Sequence, residues 1–530
     1  MKPFAQLKVG FSDAENYRRR ENKELFNSIF VRTEGLDKLC DPRNCFLIGE
    51  KGTGKTAYAA YLSNVSYHDH LATIRYIRET EYQKFIALKK ERHLDLSDYA
   101  QIWKVILYLL IGEQIADMEP QPSLLSRGDK FEKLRKAVKE YYAHAFSPEI
   151  AYALQFVEKS ELAAKLLSKY LELEGSKEQS FAFSESRFQT NLLYIRQKFE
   201  DALSSLRLKY SHILFIDGID IRPSSVPYVD YLECIKGLAN AVWSVNNDFF
   251  AGIKDSHGRM RVVLLIRPDI FESLGLQNQN TKIRDNSILL DWRTTYAAHR
   301  SSDLFRVTDR LLAHQQEAPT LLGKAWDTYF PFDTPNVKET FDYPSSFVLF
   351  VRYSLYRPRD VITMLGILQE NLTGAGRNND IQLFLRDIES VEFKNKYSSY
   401  LLGEAKDHLS FYYSKADYEI FLKFFEFLHG SHKFGYSQYV GAYDALMKYL
   451  KTGKKLVPQF LDSANDFLQF LFDLNIICYI EQAREGDSFF RWCFRERTYA
   501  NISPKVKAGC SYEIHYGLTR ALNLGRKLRE

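Results

Sequence analysis

One stretch constrains this chain more than any other. The apolar run Cys45-Phe46-Leu47-Ile48 gives way to Gly49-Glu50-Lys51-Gly52-Thr53-Gly54-Lys55-Thr56, then to the helix-like Ala57-Tyr58-Ala59-Ala60-Tyr61-Leu62. Gly49 to Thr56 fits the phosphate-binding pattern in which two glycines frame a short loop that ends in Lys and Ser/Thr. Glycines let backbone N–H groups curl around phosphate oxygens with no Cβ in the way. A helix starting at the loop points its positive end at the same oxygens. Lys55 then reaches β- and γ-phosphates, and Thr56 is placed to hold Mg²⁺. The candidate nucleotide-binding set is Gly49, Glu50, Lys51, Gly52, Thr53, Gly54, Lys55 and Thr56, with Tyr58 on the following helix. The expected ligand is ATP with Mg²⁺. The competing account is a glycine turn between two ordinary elements. The strand-like run before the loop and the helix-like run after it weigh against that account.

Composition narrows the class. A chain of 530 residues predicts two to four domains. With 45% hydrophobic and 26% charged residues it reads as a globular protein. A net charge of +5 does not by itself announce a nucleic-acid binder. The six cysteines form no CxxC pair, which argues against a zinc ribbon and a disulfide scaffold and predicts a cytoplasmic setting. The apolar stretch Ile102–Ile115 is interrupted by Lys104, Gly112 and Glu113, so no membrane partner is expected, and the first residues lack a secretory h-region.

Past the loop, Ala72–Ile77 predicts a buried strand. Before it, Glu15–Leu36 predicts a charged helix, with Arg18-Arg19-Arg20 a solvated face or a nucleic-acid contact. From about 95 to 209 the pattern predicts a helical insert, for example at Ile102–Leu107 and Leu162–Leu167, with polar breaks near Glu119–Pro122 and Glu174–Ser180. Its role is open between a sensing or oligomerisation element and packing. The run His212–Asp220 predicts a strand ending in acids. Asp217 is the candidate Mg²⁺ carboxylate. Asp220 is the candidate to orient or deprotonate the attacking water, or else a helix cap. Arg261–Ile266 predicts a further strand ending at Arg267, which would sense the γ-phosphate at the strand's C-terminal end or sit in a surface salt bridge. Asn286–Trp292 predicts a fifth strand, and Asp303–His314 a helix. Residues 1–315 thus read as an α/β domain with a mostly parallel sheet covered on both faces.

Residues 316–412 predict a helical lid. In it, Arg357 and Arg359 of Tyr356-Arg357-Pro358-Arg359-Asp360 either lie over the nucleotide or simply flank the start of the helix Val361–Asn371. Residues 413–530 predict helices at Lys415–Leu428, Tyr436–Tyr449 and Pro458–Leu474. Strands are predicted at Ile476–Glu481 and Phe489–Arg495, split by Arg484-Glu485-Gly486-Asp487. That order resembles a winged helix. Its third helix carries Asp462, Asp466 and Asp473 and no Lys or Arg, a sign that phosphates repel. Arg491, Arg495 and Arg497 keep a smaller backbone-contact option open.

Taken together, Gly49–Thr56, Phe215–Asp220, Arg267-Pro268-Asp269, Asn286–Trp292 and Arg357–Asp360 resemble a bacterial P-loop ATPase of the extended AAA+/STAND type, related in layout to origin-recognition ATPases. The segment from Glu513-Ile514-His515-Tyr516-Gly517-Leu518 through Ala521-Leu522 looks like the closing motif of one branch of these ATPases. The resemblance implies an ATPase that works as a switch or assembly platform, a homo-oligomer, and a protein effector as partner, often in antiphage or mobile-element loci. Where such proteins usually carry a Glu after the acid segment, this chain has Ile221, which implies slow turnover. Arg300, Arg306 and Arg310 are candidates for an arginine acting on a neighbouring subunit. The alternative function is a DNA loader or remodeller using the winged helix, and nucleic acid stays open as a partner. A scaffold that binds nucleotide without turnover is a third option. His515 is expected to be packed, not catalytic.

Overall fold

A computed structural model describes residues 1–11, 13–77, 96–118, 193, 196–197, 199–222, 226–276, 278–334, 345–482 and 488–525. Strands β1 (Phe46–Ile48), β2 (His70–Tyr76), β3 (Ser211–Asp217), β4 (Met260–Ile266) and β5 (Ser287–Leu289) form one all-parallel sheet in the order β2-β3-β4-β1-β5. Every residue of β1 and β4 is buried. A parallel sheet covered on both faces requires such unbroken buried runs, apolar throughout except at Arg261 of β4, whose guanidinium donates to Leu39 O.

Alternate residues of β1, β3 and β4 enter two different cores. Leu47, Phe215, Val263 and Leu265 join one, with Ala59 of the helix Lys55–Asn64 and the helical segment beyond residue 316. Phe46, Ile48, Leu214, Ile216 and Leu264 join the other. That second core is closed by the helices Leu96–Met118 and Tyr228–Ser244. The register pairs Ile48 with both Ile266 and Leu289, and Tyr76 with Asp217. Parallel pairing in this register sets the ends of β1, β3 and β4 along one edge, where open α/β sheets bind ligands.

The helical segment beyond residue 316 includes Ser346–Tyr353, Pro358–Gly374 and the long helix Val391–Tyr412. The first residues dock on this segment. Phe4 N donates to Asp380 O (2.9 Å), and Gln369 Nε2 donates to Leu7 O (2.6 Å). Beyond it, helices Lys415–Glu426, Tyr436–Thr452 and Ala464–Asp473 pack on an antiparallel sheet of order β6-β9-β7-β8. Its strands are β6 (Lys433–Gly435), β7 (Ile477–Gln482), β8 (Ser488–Trp492) and β9 (Ser511–Ile514).

Several elements differ from the sequence expectation. Glu15–Leu36 is three short helices, Ala14–Arg18, Arg20–Ile29 and Glu34–Leu39. The chain is extended at Phe30, whose ring stacks on Tyr61 at 4.1 Å, so packing of that ring replaces a further helical turn. Pro458–Leu474 splits at Ser463, whose hydroxyl caps a new helix by accepting from Asp466 N. β8 stops at Trp492 and Cys493–Glu496 coils into a helical turn. Strands β6 and β9 were not expected, being too short to show an alternating pattern. The insert is described only at Leu96–Met118, at 193 and 196–197, and from 199 onward. Leu162–Leu167, Glu119–Pro122, Glu174–Ser180 and the turn Arg484–Asp487 lie outside the described residues. No described helix is long and apolar enough to cross a membrane.

Candidate active site at the edge of the parallel sheet

Above the C-terminal ends of β1 and β3 lies a cavity of about 470 Å³. Lys51, Gly52, Gly54, Lys55, Thr56, Asp217, Asp220, Arg267 and Arg359 all line it. Residues drawn from four distant stretches of sequence therefore meet at one place.

The glycine-rich loop is shaped by contacts only glycine tolerates. A Cβ on Gly49 would stand 2.4 Å from Thr53 Oγ1. Gly54, at φ 95°, starts the helix Lys55–Asn64 in the left-handed region that side chains disfavour. Within this turn Lys55 is 7% exposed, and its Nζ donates to Gly49 O (2.9 Å) and Glu50 O (3.3 Å). Thr56 Oγ1 donates to Asp217 Oδ2 (2.6 Å), which joins the loop to the end of β3. Burial lowers the Lys55 pKa against the pull of Asp220 and Asp217. Burial, then the neighbouring Asp220, raises that of Asp217. Burial thus outweighs the attraction between Lys55 and the acids and pushes both groups toward their neutral forms.

Arg267 projects from the end of β4 and is 2% exposed. Its Nε and Nη2 donate to Asp269 at 3.0 and 2.5 Å. Burial works against its charge, but Asp269 outweighs it and raises the guanidinium pKa. Arg267 is therefore in a buried ion pair and also on the cavity wall, so the surface-salt-bridge alternative does not describe it. Arg359 stands over the loop, its backbone N–H donating to Gly52 O (3.4 Å) and its Nη1 lying 3.5 Å from Glu404 Oε2.

Four candidates have side chains that face away from the cavity. Glu50 is paired with Arg497 behind the loop. Thr53 Oγ1 donates to Glu50 O (2.8 Å), while Trp292 Nε1 donates to Thr53 O (2.8 Å). Tyr58 is 3% exposed with its hydroxyl bonded to Thr33, because its position on the helix Lys55–Asn64 faces the N-terminal helices. Arg357 is gripped by Asp360 and donates to Lys51 O (2.9 Å), so it buttresses the loop from outside. The candidate inter-subunit arginines also lie away from the cavity. Arg300 pairs with Asp327 (2.5 Å), Arg306 with Asp303 (2.8 Å), and Arg310 Nε donates to Ser28 O (3.0 Å).

Sequence reading missed two walls of the cavity. Phe11, Asp13, Glu15 and Tyr17 supply one, and Asp407, Ser410 and Phe411 on the helix Val391–Tyr412 supply the other. Lys51 Nζ meets Asp407 Oδ2 at 2.6 Å, an approach between residues 356 positions apart that no local pattern encodes. His515 is 2% exposed, edge-on to Trp492 at 5.1 Å, and burial pushes its pKa down to about 4.

The donor set can be tested against Mg²⁺. Among the described residues there is no group of three or more His, Cys, Asp or Glu that would cage a metal. One hydroxyl touching one carboxylate, Thr56 and Asp217, is the sparse set Mg²⁺ takes when phosphates and waters complete its shell. The residues fit that use. The chain matches no protein-family model and no curated protein sequence.

Proposed function

We propose that the protein is an ATP-binding, slowly hydrolysing P-loop ATPase of the AAA+/STAND type, working as a nucleotide-dependent switch. The observation that carries this reading is the 2.6 Å contact between Thr56 and Asp217, made where the glycine-rich loop meets the C-terminal edge of the parallel sheet. The placement of β4 between the loop strand and the Asp217 strand supports it, because Arg267 then faces the same cavity from between them.

In this reading the loop amides of Gly52 to Thr56 bind phosphate oxygens. Lys55 exchanges the carbonyls of Gly49 and Glu50 for the β- and γ-phosphates. Thr56 and Asp217 would hold Mg²⁺, which when bound offsets charge on the phosphates. Asp220 orients the attacking water, and Arg267 and Arg359 stabilise charge developing on the γ-phosphoryl group. Ile221, 59% exposed, stands where a carboxylate base would speed the reaction, which fits slow turnover. The C-terminal helices and the β7–β8 hairpin support a winged-helix reading. Arg497 and Arg495 turn inward, to Glu50 and Tyr356, and Arg491 pairs with Glu481. A module so arranged is suited to protein contacts better than to DNA. The resemblance of Glu513–Leu522 supports reading the switch as a cytoplasmic homo-oligomer with an effector partner, in antiphage defence or a mobile element.

ATP turnover of the wild type against Lys55→Ala and Asp217→Ala tests the assignment. Turnover lost in both variants is expected. Equal turnover in all three overturns it. Strong, salt-sensitive binding of duplex DNA would instead favour a loader or remodeller.

A further inference from the structure

Asp269 follows the strand β4 by three residues and does not line the cavity. Its carboxylate nevertheless has three side-chain partners. Arg267 donates to both oxygens. Tyr412 Oη donates to Oδ2 at 2.5 Å, and His408 Nε2 lies 3.1 Å from the same oxygen. His408 and Tyr412 both belong to the last turns of the helix Val391–Tyr412. Phe411 of that helix lies under the Arg267 guanidinium at 4.8 Å, and Phe411 O accepts from Arg222 Nε at 2.5 Å. Burial alone would raise the Asp269 carboxyl, but Arg267 and His408 reverse this and hold it well below the usual carboxylate range.

We propose that Asp269 is the positioning residue that carries the state of the γ-phosphate from Arg267 to the C-terminal end of the helix Val391–Tyr412. The inference rests on the reading of Arg267 as the γ-phosphate sensor. Two of the guanidinium's three nitrogens are directed at Asp269, while its Nη1 makes no hydrogen bond among the described residues. A γ-phosphate that recruits Arg267 competes with Asp269 for it. A largely buried carboxylate deprived of its cation is costly unless its other partners move with it. His408 and Tyr412 are those partners, so the helix end must dock differently with triphosphate and with diphosphate. Reciprocity follows: whatever displaces the helix end alters the preference for triphosphate.

The test is backbone hydrogen exchange of residues 403–413 in the full chain, with Mg²⁺-ADP and with a non-hydrolysable Mg²⁺-ATP analogue. In the wild type, protection differs between the two nucleotides by about tenfold, within the usual range of coupling between sites. In Asp269→Asn the difference collapses to less than about twofold, and the affinity ratio of triphosphate to diphosphate rises about fivefold because the competitor is gone. A carboxylate that merely held the fold together would weaken both nucleotides alike. Tyr412→Phe removes one hydroxyl, lowers the wild-type difference part of the way, and decides the case if Asp269→Asn does not fold. Variants that keep the full wild-type difference overturn the proposal. A wild type that binds both nucleotides with identical protection overturns it alone, whereas a wild type that binds neither overturns the ATPase reading.

Discussion

On its cavity side the glycine-rich loop presents Lys55 and Thr56, whose contacts are with the loop itself and with Asp217. On its far side the same loop is tied to three other parts of the chain. Glu50 pairs with Arg497 of the C-terminal segment. The Lys51 carbonyl accepts from Arg357, which precedes the helix Pro358–Gly374. Thr53 O accepts from Trp292, just beyond β5. The cavity side holds groups that can exchange partners, and the far side holds groups whose partners fix the loop's shape. If the loop binds phosphates as proposed, a loop so built would do so only in register with the helical and C-terminal segments. That physical link is what a switch needs and a simple phosphate cradle does not.

Altering the two sides separately should give different results. Lys55→Ala acts on the cavity side alone. Loss of a charge aimed at phosphates should weaken ATP binding by about 100-fold or more, with the thermal midpoint of the ligand-free protein little changed. If the midpoint falls as much as the affinity, the cavity side is also structural and the comparison breaks. Arg497→Ala acts on the far side. It strands Glu50, which is largely buried, and should cost about 3 kcal/mol in chemical denaturation. The double variant Arg497→Met with Glu50→Gln should recover part of that loss.

His515 lies behind the loop too, in a small cleft shared with Glu50, Lys51 and Arg357. Its pKa falls from 6.5 when unfolded to about 4 when folded, so the unfolded chain takes up the proton first as pH drops. The contribution is complete above pH 6.5 and is lost as pH falls toward 4. At pH 5 the wild type should lose about 2 kcal/mol relative to neutral pH through this group. His515→Phe should show a correspondingly flatter profile between those pH values; an unchanged slope would mean that the ring is not held neutral. The smallest effect expected is Trp292→Phe, which removes one hydrogen bond to Thr53 O and should cost about 1 kcal/mol. A larger loss of ATP affinity than of stability in that variant would sharpen the far side's role in shaping the loop.

How much of this was legible in the sequence follows the same division. Gly49–Thr56 and the acids after Phe215 are local patterns, and the structure brings Lys55, Thr56, Asp217 and Asp220 to one cavity. The unbroken apolar runs of β3 and β4 announced a buried parallel sheet, since no half-exposed strand could carry them. The far side was illegible. Glu50 and Arg497 lie far apart in sequence, and a charged residue bears no mark of which distant charge it will meet. From the sequence, either Arg357 or Arg359 could lie over the nucleotide, or both could simply flank the helix start. The first turn of the helix Pro358–Gly374 points Arg357 to Asp360 and leaves Arg359 on the cavity wall. Tyr58 was read by nearness to the loop, but the helix carries it to the opposite face.

The most direct test of the central claim is equilibrium ATP binding by calorimetry, with and without Mg²⁺, for the wild type and Asp217→Asn. Mg²⁺ is expected to tighten ATP binding in the wild type and to leave it nearly unchanged in Asp217→Asn, which should still bind metal-free ATP through the loop and Lys55. A wild type that binds no ATP, or an Asp217→Asn protein with an undiminished response to Mg²⁺, would contradict it.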